Sequence, residues 1–281
     1  MGGTELMEAA AMPTVSVIIP THNRPGPLAE LLEALLRQRY EKLEVIVVND
    51  AGESVDDVCA LYPELDVRIV NMETNVMHVH ARNAGLAQAS GEFVMLCDDD
   101  DLIVPGHIQR MMAAIEDCDL VYTDVEMFDY RYENGTRIPV SRFLFAYEYD
   151  REAMKRFSTF VASGCLYRRS VHDAIGPFDV DMFHYWDWDF FLTVSARFRV
   201  KRLPVASGLY AFSQQGDNMS GNHDSMRPYL DKLCEKHGLG YLPTKNFFLL
   251  LEEPEVRSRQ AKSEIVWDFQ PVVSRLASYS K

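Results

Sequence analysis

Apolar residues arrive along this chain in short blocks, and the early blocks are each closed by polar residues. TVSVIIPTHN, Thr14 to Asn23, is a β-branched run ending in Thr21, His22 and Asn23, the pattern of a buried strand that delivers a loop to a surface. In PGPLAELLEALLRQR, Leu28, Leu31, Leu32, Leu35 and Leu36 fall at i, i+3, i+4, i+7 and i+8, which is one face of a helix. LEVIVVND, Leu43 to Asp50, predicts a second buried strand and DVRIVNM, Asp66 to Met72, a third. A helix from about His78 to Ser90 follows, with Gly91 as its C-cap, and EFVMLCDDDD forms a fourth strand. Strands that alternate with helices need crossover connections and so run parallel. Ligands of such sheets bind beyond the carboxyl ends of the strands. Thr21 to Asn23, Asn49 with Asp50, and Asp98 to Asp101 all stand at those ends and are expected to converge on one crevice.

The second half has a different texture. DLVYTDVEMFDYRYENGTRIPV predicts a strand and a hairpin turning at Asn134-Gly135, and FVASGCLYRRS a further strand. Helical residues return in HYWDWDFFLTVSARF, VKRLPVASGLYAFS reads as extended chain, and the rest from about His223 is polar and helix-compatible. The fold class is therefore α/β, with a tail over 1–13, a ligand-binding half over 14–105, a mixed half over 106–222 and a mostly helical extension over 223–281.

The stretch that most constrains chemistry is VMLCDDDDLIVP, Val94 to Pro105, where four aspartates interrupt an apolar run. Two carboxylates about 4 Å apart repel by roughly 4 kcal/mol at an effective dielectric near 20. A solvated turn would relieve this, as would a helix N-cap at Asp100 or Asp101, and so would a hard divalent cation such as Mg2+ or Mn2+. Composition narrows the choice. Lys+Arg 28 against Asp+Glu 42 gives a formal charge of -14, which argues against a nucleic-acid partner. A phosphate ligand in this acidic field would need a metal ion, an arginine or backbone amides. Five scattered cysteines, Cys59, Cys97, Cys118, Cys165 and Cys234, without CxxC spacing, indicate neither a disulfide framework nor a zinc site, so a reducing, cytoplasmic setting is expected. No window is apolar for the roughly 18 residues that span a bilayer, so membrane contact is at most peripheral.

VSVIIPTHNRP, VIVVND, HARNAGLAQASGEFVMLCDDDDLIVP and GCLYRRS...IGPFD...WDWDFFL, in that order and over roughly Thr14 to Phe198, resemble the family 2 glycosyltransferases of the GT-A fold. The resemblance implies a nucleotide-sugar donor, UDP-linked as is commonest in the family, a divalent metal on a DxD-type motif, and transfer to a carbohydrate or lipid-linked acceptor with inversion at the anomeric carbon. It implies that Asp100 is the direct metal ligand, with Asp98 at the first position of the motif. Asp98 or Asp99 would hold ribose or donor sugar, leaving Asp101 to cap the next helix. Asp50 matches the aspartate that reads the base; a carboxylate there can accept the N3-H of uracil or the N1-H and N2-H of guanine. Thr21 and Asn23 line the same face. Arg82 matches an arginine near base and phosphates, unless it pairs with Glu92 or Asp50 on the surface. An inverting transfer needs a general base. The family puts it on a Glu-Asp pair opening a helix, which here reads Trp186-Asp187-Trp188-Asp189, so Asp187 takes the aspartate position and Asp189 is the alternative. Trp186, Trp188, His184 and Tyr185 could stack on a sugar or simply fill the core. YAFSQQGDNMSGNH lacks the arginine many relatives carry there, and His223 is its only candidate metal-ligating side chain; Asn218 and the glycines suit a loop closing over the donor. The competing readings are a nucleotidyltransferase that makes nucleotide sugars, although THNRPGP lacks its glycine-rich loop, and a non-catalytic sugar-nucleotide-binding module. A haloacid-type phosphatase would carry its aspartates on the first strand, and an oxidoreductase would need GxGxxG after it.

Overall fold

The computed structural model describes residues 12–212 and 223–279. Its first part alternates as the hydrophobic pattern requires: β1 (Val15–Thr21), α1 (Pro25–Leu36), β2 (Leu43–Asn49), α2 (Asp56–Ala60), β3 (Asp66–Asn71), α3 (Met77–Gln88) and β4 (Phe93–Leu96). The chain continues through β5 (Leu102–Ile103), α4 (His107–Ala114), β6 (Leu120–Glu133), β7 (Thr136–Phe145), β8 (Cys165–Arg168), α5 (Val171–Ile175), α6 (Trp186–Arg197) and β9 (Val200–Ala211). It ends with α7 (His223–His237), α8 (Phe247–Leu251), α9 (Pro254–Arg257), β10 (Glu264–Ile265) and α10 (Arg275–Tyr279).

One mixed sheet joins both parts, in the order β10-β9-β6-β8-β4-β1-β2-β3, with β5 on β9 and β7 on β6. β4, β1, β2 and β3 are mutually parallel, whereas β8 runs antiparallel to both β4 and β6. Period-2 alternation divides the strands between two cores. Val15, Val17, Ile19, Val45, Val47 and Met95 face the side covered by α1 and α4, and Ile18, Ile46, Val48, Val94 and Leu96 face the side covered by α3, α6 and α7. Both faces are covered, so the strands read as continuous apolar runs. β1 pairs Thr21 with Asn49 of β2 and Ile18 with Leu96 of β4, which brings the polar ends of all three strands to one edge.

Three expectations need correction. Gly91 is not a helix cap: α3 ends at Gln88 with Ala89 extended behind it. A Cβ on Gly91 would lie 2.7 Å from Ser16 Oγ and 2.8 Å from the Thr14 carbonyl, so its role is close approach of two backbones. Asp101 caps no helix, because the aspartates lead into β5, and α4 opens later, at a left-handed Gly106. The carboxyl-terminal extension is less helical than its polarity implies; β10 adds a strand beside β9, and Trp267 packs on Phe128 in the core. The Asn134-Gly135 turn forms as read, with φ of 49° and 75°, as a two-residue hairpin needs. No helix among the described residues is long and apolar enough to cross a membrane.

Gly85 sets how closely α3 lies on the sheet, since a Cβ there would stand 2.5 Å from Ile18 Cγ2 and 3.1 Å from Val48 Cγ2. Ile18 is fully buried and β-branched and cannot give way. Helix propensity favours Gly85→Ala by about 1 kcal/mol, but overpacking a filled core costs about 1–3 kcal/mol. Urea denaturation should therefore find Gly85→Ala destabilised, and a stabilised variant would show that α3 is free to lift.

Candidate active site

The aspartates that follow β4 divide among several partners, Asp99 and Asp100 sharing one arginine. Asp98 accepts from Arg82 Nη2 of α3. Asp99 is buried and accepts from Thr21 Oγ1 at 2.7 Å and Arg24 Nη1 at 3.3 Å. Asp100 accepts from the same Arg24 Nη1 at 2.6 Å. Asp101 is buried and accepts from Ser163 Oγ at 2.5 Å and the Ala211 amide at 3.1 Å. Burial, reinforced by repulsion from Asp100, pushes Asp99 up to about 7 against the pull of Arg24 and Thr21. Burial likewise holds Asp101 well above the carboxylate range. Only Asp98 and Asp100 keep open side chains, 37% and 30% exposed.

The predicted ligand residues surround this pair. Thr21 closes β1, and Asp50 lies just past β2, where its Oδ1 accepts the Val76 amide at 2.7 Å. Asn23, left-handed at φ 55°, accepts the Glu53 amide at 2.8 Å, and His22 Nδ1 bonds the Asp50 carbonyl at 2.8 Å. These contacts tie the loops after β1 and β2 together. Arg82 pairs with neither Glu92 nor Asp50. Its guanidinium is held between Asp98 and the indole of Trp186, whose ring centre is 3.9 Å from Cζ. Its Nη1 is buried with no hydrogen-bond partner among the described residues. Trp186, where the family glutamate would stand, is thus the stacking partner of the site arginine.

Asp187 and Asp189 part company on α6, because residues two apart on a helix point about 200° away from each other. Asp187 is half-buried in the first turn, where its Oδ1 accepts the Trp188 amide at 2.8 Å. Burial, with a smaller contribution from the Asp98 charge, pushes it up to about 6 against that amide and Arg82. Asp189 is buried and engaged by α7, through Lys236 Nζ at 2.8 Å and His237 Nε2 at 2.6 Å. It is an anchor for α7 and lies outside the cluster around Asp98. Of the aromatic residues, Trp188 donates its indole N–H to the Met154 carbonyl and is core, whereas His184 and Tyr185 are only partly buried. The side chain of His223, and residues 213–222 with Asn218, lie outside the described residues.

Among the described residues no three His, Cys, Asp or Glu side chains are grouped to hold a metal ion. Asp98 and Asp100 nevertheless fit a hard cation, because both are partly exposed oxygen donors, and Mg2+ is commonly bound by one or two carboxylates together with substrate phosphates. Pattern reading missed two arginines that shape this pair. Arg24 follows the first strand in THNRPGP and could have been found there. Arg137, on β7, carried no local signal; it is buried against Glu30 of α1 at 2.6 Å and donates Nη1 to the Asp100 carbonyl at 2.5 Å.

Comparison with known proteins agrees with this architecture. The sequence model of "Glycosyl transferase family 2" matches residues 16–176. The uncharacterized glycosyltransferase YwdF of Bacillus subtilis (strain 168) is 57% identical over 263 residues, covering 93% of this chain and 98% of that one. A PGL/p-HBAD biosynthesis glycosyltransferase of Mycobacterium bovis is 30% identical over 187 residues, covering 64% of this chain and 69% of the relative. Among solved structures, S. aureus TarS 1-349 in complex with UDP-GlcNAc superposes with a TM-score of 0.64 at 22% identity, covering 79% of this chain and 66% of that one. The mannosyltransferase PcManGT of Pyrobaculum calidifontis, in complex with GDP-Man and Mn2+, gives 0.59 at 20% identity, covering 83% and 67%. By its sequence match and its mixed sheet, the chain belongs to glycosyl transferase family 2 and is a glycosyltransferase of the GT-A fold.

Proposed function

We propose that this glycosyltransferase is metal-dependent and inverting, and moves a sugar from a nucleoside-diphosphate donor, UDP-linked in the first instance, to a hydroxyl of a carbohydrate or lipid-linked acceptor. The observation that carries this reading is one constellation: Asp50, Arg82, Asp98 and Asp100 at the carboxyl edge of β1, β2 and β4, with a half-buried, elevated Asp187 opening α6 beside Arg82 and Asp98. TarS binds UDP-GlcNAc and PcManGT binds GDP-Man with Mn2+ on the same fold, which supports a nucleotide-sugar donor. All five cysteines are free and buried, which supports a reducing, cytoplasmic setting.

In this mechanism Asp50 accepts the N3-H of uracil, and Thr21 and Asn23 shape the loop edge on which the nucleoside rests. Asp98 or Asp99 accepts a hydroxyl of the ribose or donor sugar. Asp100, with Asp98, would hold Mn2+ or Mg2+, which supplies charge neutralisation for the departing diphosphate. Arg82 adds a fixed positive charge, kept in place by Trp186 and Asp98. Asp187 takes the acceptor hydroxyl proton as that oxygen bonds to the anomeric carbon. The carbon–oxygen bond to the diphosphate breaks with its electron pair, and a single displacement inverts the centre. A base near 6 is ionised at neutral pH yet more basic than an ordinary aspartate, as proton abstraction requires.

Thermal unfolding with UDP, GDP and dTDP, each with and without Mn2+, tests the donor site, since a ligand bound only by the folded state must stabilise it. UDP with Mn2+ is expected to raise the midpoint most. No shift with any of the three would reject the reading. Asp187→Asn should keep that UDP shift while transfer falls by roughly 10²–10⁴-fold; undiminished transfer would remove Asp187 from the chemistry. Because the base must be ionised, kcat/KM should fall as pH drops through about 6. A profile flat down to pH 4 would show that no such group limits the step.

A further inference from the structure

Two arginines neutralise the open aspartates, and they are built differently. Arg82 is 4% exposed, stacked on Trp186 and bonded to Asp98, so it cannot move without dismantling the core beneath it. Arg24 is 42% exposed on the loop ahead of α1, and no aromatic ring among the described residues lies under it. Its Nη1 bridges Asp100 Oδ2 at 2.6 Å and Asp99 Oδ1 at 3.3 Å. A divalent ion that takes the same Asp100 Oδ2, at about 2.0–2.1 Å, would lie within about 5 Å of the guanidinium nitrogen bonded there, where two positive charges repel strongly. The cation and Arg24 therefore compete for one carboxylate. When Arg24 lets go, its planar fork is matched to a pair of phosphate oxygens. The loop that carries it lies on the same strand edge as Thr21 and Asp50.

We infer that Arg24 is an exchangeable counter-ion, which occupies Asp99 and Asp100 in the donor-free enzyme and passes to the donor diphosphate when the cation binds. The inference rests on the metal-dependent reading above. Its consequence is that cation and nucleotide bind as a pair, each weakly without the other, because either alone leaves a carboxylate pair or a diphosphate incompletely neutralised. Asp98 does not share this behaviour, since its arginine is locked.

Electron paramagnetic resonance of free Mn2+ reads the competition without any turnover. Wild type, R24K and R24Q are titrated with Mn2+ in the presence and absence of UDP, with urea midpoints confirming that each folds. Wild type is expected to bind Mn2+ weakly alone and more tightly with UDP. R24Q should bind Mn2+ without nucleotide about tenfold more tightly than wild type and lose most of the enhancement by UDP, with R24K closer to wild type. R24Q that binds nucleotide-free Mn2+ no more tightly than wild type overturns the exchange, as does wild type that binds Mn2+ equally well with and without UDP. D100N separates the two levels. If it retains wild-type binding of Mn2+ with UDP, the metal assignment fails and the exchange with it; if it has lost that binding while R24Q is unchanged, only the exchange fails.

Discussion

Four like charges in four consecutive residues are the constraint around which this fold is arranged. Repulsion on the order of 4 kcal/mol per close pair could be relieved by protonation, by solvent or by separate partners, and the chain uses all three. Asp101 is buried on a serine hydroxyl and a backbone amide and held toward its neutral form. Asp99 is buried on Thr21 and elevated. Asp98 and Asp100 stay open to the crevice, each beside an arginine from a different helix or loop. The four residues form a turn closed by the Asp101 amide on the Asp98 carbonyl at 3.0 Å, and around it Asp99 and Asp101 are buried in protein while Asp98 and Asp100 stay partly exposed. The pair left exposed is consequently the pair that the proposed function assigns to the donor and its cation.

Those partners come from both parts of the chain, so the crevice is determined by how the parts are joined. Ser163 precedes β8, Ala211 ends β9, and Arg137 reaches from β7 to grip Glu30 and the Asp100 carbonyl together. Glu30 and Arg137 are nearly inaccessible. A pair so buried is weak evidence of stability, but losing one partner leaves an uncompensated charge that costs about 3–5 kcal/mol. Its value here is positional, because it fixes the height of Asp100 relative to α1 and the hairpin.

What the sequence made legible follows from which interactions are local. Strands β1, β2 and β4 and the leucine face of α1 come from periodicity within a dozen residues, and the sheet rule then brings Thr21, Asp50 and the aspartates to one edge. Gly91 suggests a helix cap because capping is a local habit, whereas its contact with Ser16 belongs to strand pairing across 75 positions. Asp101 suggests a cap for the same reason, but its partners are 62 and 110 residues away. Arg137 and Ser163 could not be assigned from spacing at all, since their relevance is created by the fold. Arg82 was found by its motif, but its stacking on Trp186 was not, because the choice between core aromatic and sugar platform depends on what lies opposite the ring.

That stacking accounts for a departure that would otherwise look damaging. At the position before the proposed base, where the family resemblance implies a second carboxylate, this chain has an indole. A glutamate at that position would add a negative charge beside Asp98 and Asp187, in a protein whose formal charge is already -14. It would compete with Asp98 for Arg82 and push Asp187 further from ionisation. The indole holds Arg82 by its ring face instead, at a distance where cation–π attraction is effective, and leaves the guanidinium charge to be divided between Asp98 and the crevice. Asp189 completes the arrangement from the opposite side of α6, where Lys236 and His237 take its charge. Of the two acidic residues opening that helix, Asp189 is thus engaged by α7 and Asp187 is not, and burial, with a smaller contribution from the Asp98 charge, gives the proposed base its elevated affinity for a proton.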